Sequence, residues 1–136
     1  MKFSDDSAWS SGHMQWDRAE RTLIMMMQHL ADALTQGRSL LVHKLRMSIQ
    51  NHLDLLCNDQ EMALEVYSHD HPHYHRLHRR QHQFLLGWIQ EISMNTRPSE
   101  VFSVLGWWLE VHVAHLDRQL VLEVEEAPQL HHALAV

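Results

Sequence analysis

Four residues in the second half of the chain have side chains that often bind metal ions. His78 and His82 stand four residues apart, in the sequence His-Arg-Arg-Gln-His, so on a helix both imidazoles lie on one face. His112 and Asp117 follow in a later apolar segment. Three imidazoles and a carboxylate suit iron or zinc, which bind nitrogen and oxygen ligands. The chain has 14 histidines, so several pairs with this spacing are expected by chance, and the His78–His82 pair alone is weak support for a metal site.

Four long segments carry apolar residues at steps of three and four, which predicts four helices. The predicted helices cover about residues 14–36, residues 39–67, the stretch from the break at 69–72 to about 94, and residues 98–126. Gly37 fits a helix C-terminus, and Ser39 and Ser99 fit helix N-caps. In the fourth helix the apolar stripe continues through Trp108 and His112 to Leu116. With 4 glycines and 3 prolines, the composition favours helices over a turn-rich β-fold. We therefore predict an all-α protein, an up-down-up-down antiparallel four-helix bundle.

The length and composition bound the domain organisation and exclude several function classes. The 136 residues fit one domain, with an irregular N-terminal arm at 1–13, the bundle at 14–127 and a tail at 128–136. The net charge of −6 argues against a nucleic-acid partner, and the single cysteine argues against a disulfide framework. Without a long apolar run or a signal sequence, we expect a cytoplasmic protein with no membrane partner. The absence of nucleophile and phosphate-loop motifs favours a binding domain over an enzyme.

The predicted helix connections place polar residues at matching heights. In antiparallel neighbours, residues equidistant from the connecting turn lie level with each other. Counting from turns near residues 38, 69 and 97 gives one interior layer of Glu20, Leu56, His82 and His112, and a neighbouring layer of Trp16, Gln60, His78 and Asp117. Polar groups buried without partners are costly, and a cation among them lowers that cost. The layers therefore predict a metal site whose candidate ligands are His78, His82, His112, Asp117 and Glu20.

The residues around this predicted site resemble the hemerythrin family. The sequence from His78 to Leu85 matches the third-helix motif H-x-x-x-H and the residues that follow it. The sequence Trp-Leu-Glu-Val-His-Val-Ala-His-Leu-Asp, from Trp108 to Asp117, matches the fourth-helix motif W-L-x-x-H-I-x-x-x-D. The resemblance covers about residues 14–122. It implies a four-helix bundle that binds non-haem iron and serves in oxygen, nitric oxide or redox sensing or binding.

The first half of the chain departs from the family pattern. Glu20 stands where the first-helix motif D-x-x-H has its histidine, Leu56 replaces the second-helix histidine, and Gln60 replaces the bridging glutamate. In the family, two irons are bound, and the equivalents of these residues serve the second iron or bridge the pair. The resemblance therefore implies an incomplete, mononuclear site here, in which one iron keeps its histidine ligands and the other loses both of its own. Since the family reduces dioxygen to peroxide with one electron from each iron, we do not expect reversible dioxygen carriage by that mechanism.

Several alternatives remain open at this point. Two iron ions are the alternative to one, and zinc is the alternative metal. A second ion would need replacement ligands on the second helix. Cys57 and Glu61 lie off its interior stripe, and His52 lies on the stripe but one turn from Leu56. Dioxygen or nitric oxide would be the small-molecule partner. A different class of function is also open, in which the bundle is free of metal and acts as a signalling or interaction module. It would then act as a homodimer or with a fused or partner signalling domain. The His69–His75 tract is interpreted as a solvated loop.

Overall fold

The computed structural model describes residues 8–67 and 71–125, and in this part of the chain every long element is a helix. The first three helices are α1 (Met14–Thr35), α2 (Ser39–Tyr67) and α3 (Pro72–Gln90). A fourth helical rod consists of α4 (Pro98–Trp107), a π-helical segment (Trp108–Asp117) and α5 (Arg118–Glu125). The prediction of an all-α protein with four helical rods is confirmed. The predicted tail, residues 1–7 of the predicted arm and the start of the histidine tract lie outside the described residues.

The end of α1 follows the prediction from Gly37. This glycine has a φ of 66°, a left-handed conformation that costs glycine little. Its N–H donates to the carbonyl of Leu34 at 3.2 Å, and the N–H of Arg38 donates to the carbonyl of Ala33 at 3.0 Å. These two bonds satisfy carbonyls that the last turn of a helix otherwise leaves without partners. The chain can therefore reverse direction within a few residues and begin α2.

The two predicted serine caps are wrong by one or two residues. Helix α4 begins at Pro98, with Arg97 in the cap position, because proline has a fixed φ suited to the first helical residue. Helix α2 includes Ser39 as its first residue, and the carbonyl of Arg38 accepts a bond from the Val42 N–H at 2.9 Å. The histidine tract is also only partly a loop, since Pro72 starts α3 and His75 lies in its first turn.

Helix α3 ends at Gln90 rather than near residue 94 because polar side chains compete for the backbone beyond it. The Ser93 N–H donates to the Thr96 hydroxyl at 3.0 Å, and the Asn95 N–H donates to the Ser93 hydroxyl at 3.1 Å. Such local bonds offer the backbone an alternative to helical pairing. The connection to α4 is therefore a short turn.

The core consists of two apolar clusters separated by buried polar residues. The larger cluster includes Leu23 of α1 and Val113 of the fourth rod, and the smaller one includes Trp16 and Leu120. Along the chain, the fully buried Glu20 stands between the two clusters on α1, and Asp117 does so on the fourth rod. Trp108 is fully buried in the larger cluster, as predicted, whereas Trp107 is half-buried. Buried acidic residues thus interrupt the core on α1 and on the fourth rod.

The residues before α1 are fixed to the bundle by Asp17. Its carboxylate accepts bonds from the hydroxyls of Ser10 and Ser11, at 2.6 and 2.7 Å, and from the N–H groups of Ser11 and Gly12. Burial alone would raise the pKa of Asp17, but these bonds outweigh burial and lower it. The indole of Trp9 is buried in the larger cluster. No helix in the described ranges is both long and apolar enough to cross a lipid bilayer.

Candidate metal centre

Three imidazoles and one carboxylate converge among the buried polar residues that separate the two apolar clusters. One ligand atom from each of His78, His82, His112 and Asp117 lies within 4.8 Å of the other three. The Nε2 atoms of His78 and His112 lie 2.8 and 2.9 Å from Asp117 Oδ1. The Nε2 atoms of His82 and His112 are 3.1 Å apart. All four side chains are buried. The structure therefore brings together four of the five predicted site residues, in an arrangement that could hold a metal ion.

The oxygen at the middle of this cluster lacks a proper hydrogen bond. Asp117 Oδ1 is close to two imidazole nitrogens, yet no donor approaches it with acceptable hydrogen-bond geometry. Buried polar atoms in proteins nearly always have partners, so such an atom calls for an explanation. Ligand atoms that face one central point, rather than each other, are what a metal ion requires. The donor set of imidazole nitrogen and carboxylate oxygen fits iron or zinc.

The π-helical segment is what allows His112 and Asp117 to meet. Residues five apart in an ordinary α-helix point about 140° away from each other. In a π-helix the backbone bonds connect residues five apart, so their side chains lie on the same face. The sequence did not predict this segment, and an α-helical repeat placed Leu116 in the interior stripe. The structure instead buries Asp117 and leaves Leu116 half-buried. The Tyr74 hydroxyl donates to the Leu116 carbonyl, which connects α3 to the π-helical segment.

Neighbouring residues fix which nitrogen of His112 faces the centre. Its Nδ1–H donates to the Gln81 side-chain oxygen at 2.9 Å, so the Nε2 lone pair points inward, as in many metal-binding histidines. Sequence reasoning missed Gln81, although it and His112 are nearly equidistant from the turn at Arg97, so the same height argument could have found it. For His82, Nδ1 lies 3.7 Å from a carboxylate oxygen of Glu61.

The protonation states favour metal binding at neutral pH. Burial lowers the pKa of His112 to about 4, even though the nearby Asp117 carboxylate opposes this shift. Burial also lowers the pKa of His82, against the opposing effect of Glu61. For Asp117, burial alone would raise the pKa, but the imidazoles of His112 and His78 outweigh it and lower the pKa. His82 and His112 are thus favoured as neutral imidazoles and Asp117 as an ionised carboxylate, the forms that bind metals.

Glu20, the fifth predicted site residue, is not in the group of four converging side chains. It is fully buried, and its Oε2 accepts a bond from the Trp108 indole at 2.8 Å, while Oε1 has no hydrogen-bond partner. Burial raises its pKa well above the usual value, and the charge of Asp117 raises it further. Its role as a metal ligand stays a prediction.

The other candidate ligands have different roles in the structure. The His52 Nε2–H donates to the carbonyl of Ala19 at 2.8 Å. The Cys57 thiol is buried in the larger apolar cluster, and burial raises its pKa, so a thiolate is disfavoured. Leu56 belongs to the smaller apolar cluster. Within residues 8–67 and 71–125, the four converging side chains are the only group of three or more histidine, cysteine or acidic residues arranged to hold a metal.

Comparisons with known proteins do not extend this picture. No protein-family model matches the chain, and no match was found among curated proteins or among solved structures. Membership of the hemerythrin family therefore stays a prediction from the motifs around His78 and His112.

Proposed function

We propose that this chain is a hemerythrin-like domain that binds one non-haem iron ion and serves in oxygen, nitric oxide or redox sensing or binding. The observation that carries the proposal is the convergence of His78, His82, His112 and Asp117 within the core. Zinc is the alternative metal, since it accepts the same ligands. Iron at this position would supply a one-electron redox couple and affinity for small diatomic ligands.

The arrangement of the helices supports the proposal. We propose that the four rods form an up-down-up-down antiparallel bundle, since short connections join them in sequence. Helix α1 contacts α2 and α4, α2 contacts α3 and α5, and α3 contacts the π-helical segment. Such a bundle brings ligands from two neighbouring rods to one interior height, where the apolar clusters exclude water. In this proposal the protein positions neutral imidazoles and one carboxylate before any ion arrives.

One ion, rather than two, is proposed because the remaining side chains at this height supply few donors. Leu56 has no donor atom and packs in the smaller apolar cluster. The Gln60 amide replaces a carboxylate and donates to Asp117 Oδ2 at 3.0 Å. A neutral amide binds a cation more weakly than a carboxylate does. The remaining carboxyl of this layer, Glu20, has a pKa that burial raises, which favours its neutral form, so a second ion at this height would lack the charged ligands that it requires.

Metal titration of the chelator-treated protein tests this function. We expect one equivalent of Fe²⁺ under anaerobic conditions, or of Zn²⁺, per chain by elemental analysis. The Asp117→Asn variant should bind on the order of 100-fold more weakly, since it removes the only carboxylate among the four converging ligands. The matched control is His115→Asn, because His115 is exposed on the same π-helical segment. A wild-type protein that binds no metal at near-neutral pH would contradict the proposal.

The second candidate function is a metal-free interaction module that pairs with another copy of the chain. It is favoured by an exposed aromatic patch, where Phe84 is 55% exposed and lies against Trp107 with ring centroids 5.0 Å apart. Val104 lines the same groove. The thermal midpoint with and without chelator separates the two functions, because an ion that binds only the folded state must raise the midpoint. An unchanged midpoint together with a concentration-dependent dimer would favour the second function.

A further inference from the structure

The Gln60 amide lies against three of the four converging side chains. This residue is fully buried on α2. Its Oε1 is 2.9 Å from His82 Nε2 and 3.3 Å from His78 Nε2, and its Nε2 donates to Asp117 Oδ2 at 3.0 Å. Because an ionised carboxylate only accepts hydrogen bonds, the NH₂ end of the amide must face Asp117. The carbonyl oxygen of Gln60 is thereby directed toward the imidazoles.

Acceptor atoms outnumber protons at the centre of the cluster. Gln60 Oε1 and Asp117 Oδ1 are acceptors, and His112 Nε2 is one as well because the proton of that ring lies on Nδ1. A neutral imidazole carries a single N–H. His78 and His82 can therefore supply at most two protons to these three acceptors. A cation among these atoms would satisfy the lone pairs that the available protons cannot.

The charge of the cluster depends on the residue at position 60. With its imidazoles in the neutral form that metal binding requires, the cluster carries one negative charge in total, that of the Asp117 carboxylate. A divalent ion would leave one positive charge in the buried site, whereas a trivalent ion would leave two. Uncompensated charge is expensive in an environment of low polarity, so the second case is disfavoured. A glutamate at position 60 would add one negative charge and would reduce this penalty.

We propose that the Gln60 side-chain oxygen is a fifth protein ligand and that its neutrality makes the site prefer a divalent over a trivalent ion. This inference rests on the proposed function, because it requires that a metal binds among the four converging side chains. It adds a ligand from α2 to those from α3 and the fourth rod. It also means that the charge of the side chain at position 60 determines whether the site prefers a divalent or a trivalent ion.

Competition between Zn²⁺ and Ga³⁺ tests the charge preference without any redox chemistry. The chelator-treated protein is equilibrated with buffered mixtures of the two ions, and the bound metals are measured. We expect Gln60→Glu to raise the Ga³⁺ to Zn²⁺ binding ratio about tenfold or more. The control is Gln83→Glu, which adds the same charge at an exposed position on α3. That control should leave the ratio unchanged, since solvent screens an exposed charge.

The visible spectrum of the Co²⁺-loaded protein tests direct ligation, since cobalt with four ligands absorbs more strongly than cobalt with five. We expect Gln60→Leu to raise the intensity and to weaken Zn²⁺ binding about 10- to 100-fold. If either variant fails to fold, X-ray absorption of the wild-type Zn²⁺ protein still counts the ligands, and a value of four overturns the proposal. A wild-type chain that binds neither Zn²⁺ nor Fe²⁺ refutes the proposed function itself. Zn²⁺ binding that is indifferent to both Gln60 variants refutes only this inference.

Discussion

The indole ring of Trp108 lies flat against the imidazole ring of His112, with ring centroids 3.9 Å apart and planes inclined by 11°. The same indole donates its N–H to Glu20 at 2.8 Å. Trp108 therefore contacts one of the converging imidazoles and holds a buried carboxylate of α1. The stack fixes one face of the His112 ring, and the bond to Gln81 fixes its Nδ1 edge.

This stack should make Trp108 a reporter of metal binding. A paramagnetic ion held by His112 would lie close enough to quench the indole fluorescence, whereas Zn²⁺ has a closed shell and would quench little. We expect Co²⁺ to reduce the tryptophan emission of the wild-type protein, and Trp108→Phe to lose most of that reduction. Trp88→Phe is the control, because Trp88 is half-buried on α3. Equal quenching in the two variants would contradict the assignment of His112 as a ligand.

Removing the hydrogen bond between Gln81 and His112 should weaken metal binding without removing a ligand. In Gln81→Leu the imidazole loses the partner that keeps its proton on Nδ1, so its inward lone pair is no longer secured. We expect a loss of about 10- to 100-fold in Zn²⁺ affinity, measured by competition with a chelator of known affinity. Gln83→Leu changes a neighbouring exposed glutamine on α3 and should have little effect. Identical affinities in the two variants would remove Gln81 from the site.

The Glu20→Gln substitution should stabilise the metal-free protein. The Glu20 carboxylate is fully buried with one oxygen lacking a hydrogen bond, so its ionised form is costly, whereas glutamine keeps an acceptor for the Trp108 indole. We expect the free energy of unfolding at pH 8 to rise by about 1–2 kcal/mol, measured with urea. Glu65→Gln, at an exposed position on α2, should change it little.

The same variant also tests whether Glu20 binds the metal. A loss of Zn²⁺ affinity in Glu20→Gln would support its predicted role as a ligand. Unchanged affinity together with higher stability would limit its role to the contact with Trp108.

The stability of the metal-free protein should fall in mild acid. The pKa of His112 is about 4 in the folded chain, because of burial, against 6.5 for an ordinary histidine. The unfolded state therefore binds more protons, so this contribution to stability is complete above about pH 6.5 and is lost as the pH falls toward about 4. The loss is on the order of 3 kcal/mol for this group. The lowered pKa of His82 acts in the same direction.

Urea unfolding at several pH values between 4 and 7.5 measures this dependence. The raised pKa of Glu20 has the opposite sign, because its carboxyl becomes neutral, and so less costly, as the pH falls. The decline should therefore be steeper in Glu20→Gln than in the wild type. In Glu20→Gln, where this compensation is absent, a free energy of unfolding that stays constant down to pH 5 would show that His112 is not held neutral by burial.

The heights of the polar residues could be predicted from the sequence because the rise of a helix per residue is nearly constant. The counts from the turns placed His82 level with His112, and their Nε2 atoms are 3.1 Å apart. They also placed His78 level with Asp117, and the structure has these side chains 2.8 Å apart. The burial of Trp108 followed from the same apolar repeat.

The backbone around Asp117 could not be predicted in this way. An apolar repeat assumes an α-helix throughout, and in that geometry Leu116 follows His112 toward the interior. A π-helix forms where contacts from other parts of the fold compensate its less favourable backbone bonds, such as the bond from Tyr74 to the Leu116 carbonyl. Those contacts depend on tertiary packing, which local periodicity does not contain. The side-chain bonds of Ser93 and Thr96, which shorten α3, escaped prediction for a related reason.

The π-helical segment also changes the direction in which the side chains of α5 point. Because a π-helical turn takes up more residues than an α-helical one, Leu120 and Val121 of α5 are rotated relative to an uninterrupted α-helix, and in that rotated position they are buried. Deleting one residue between Val113 and Leu116 would return the rod to an α-helical repeat. It would then separate His112 from Asp117 and also turn the apolar side of α5 out of step with α2. The ligand geometry and the docking of the last helix are therefore two outcomes of one backbone irregularity.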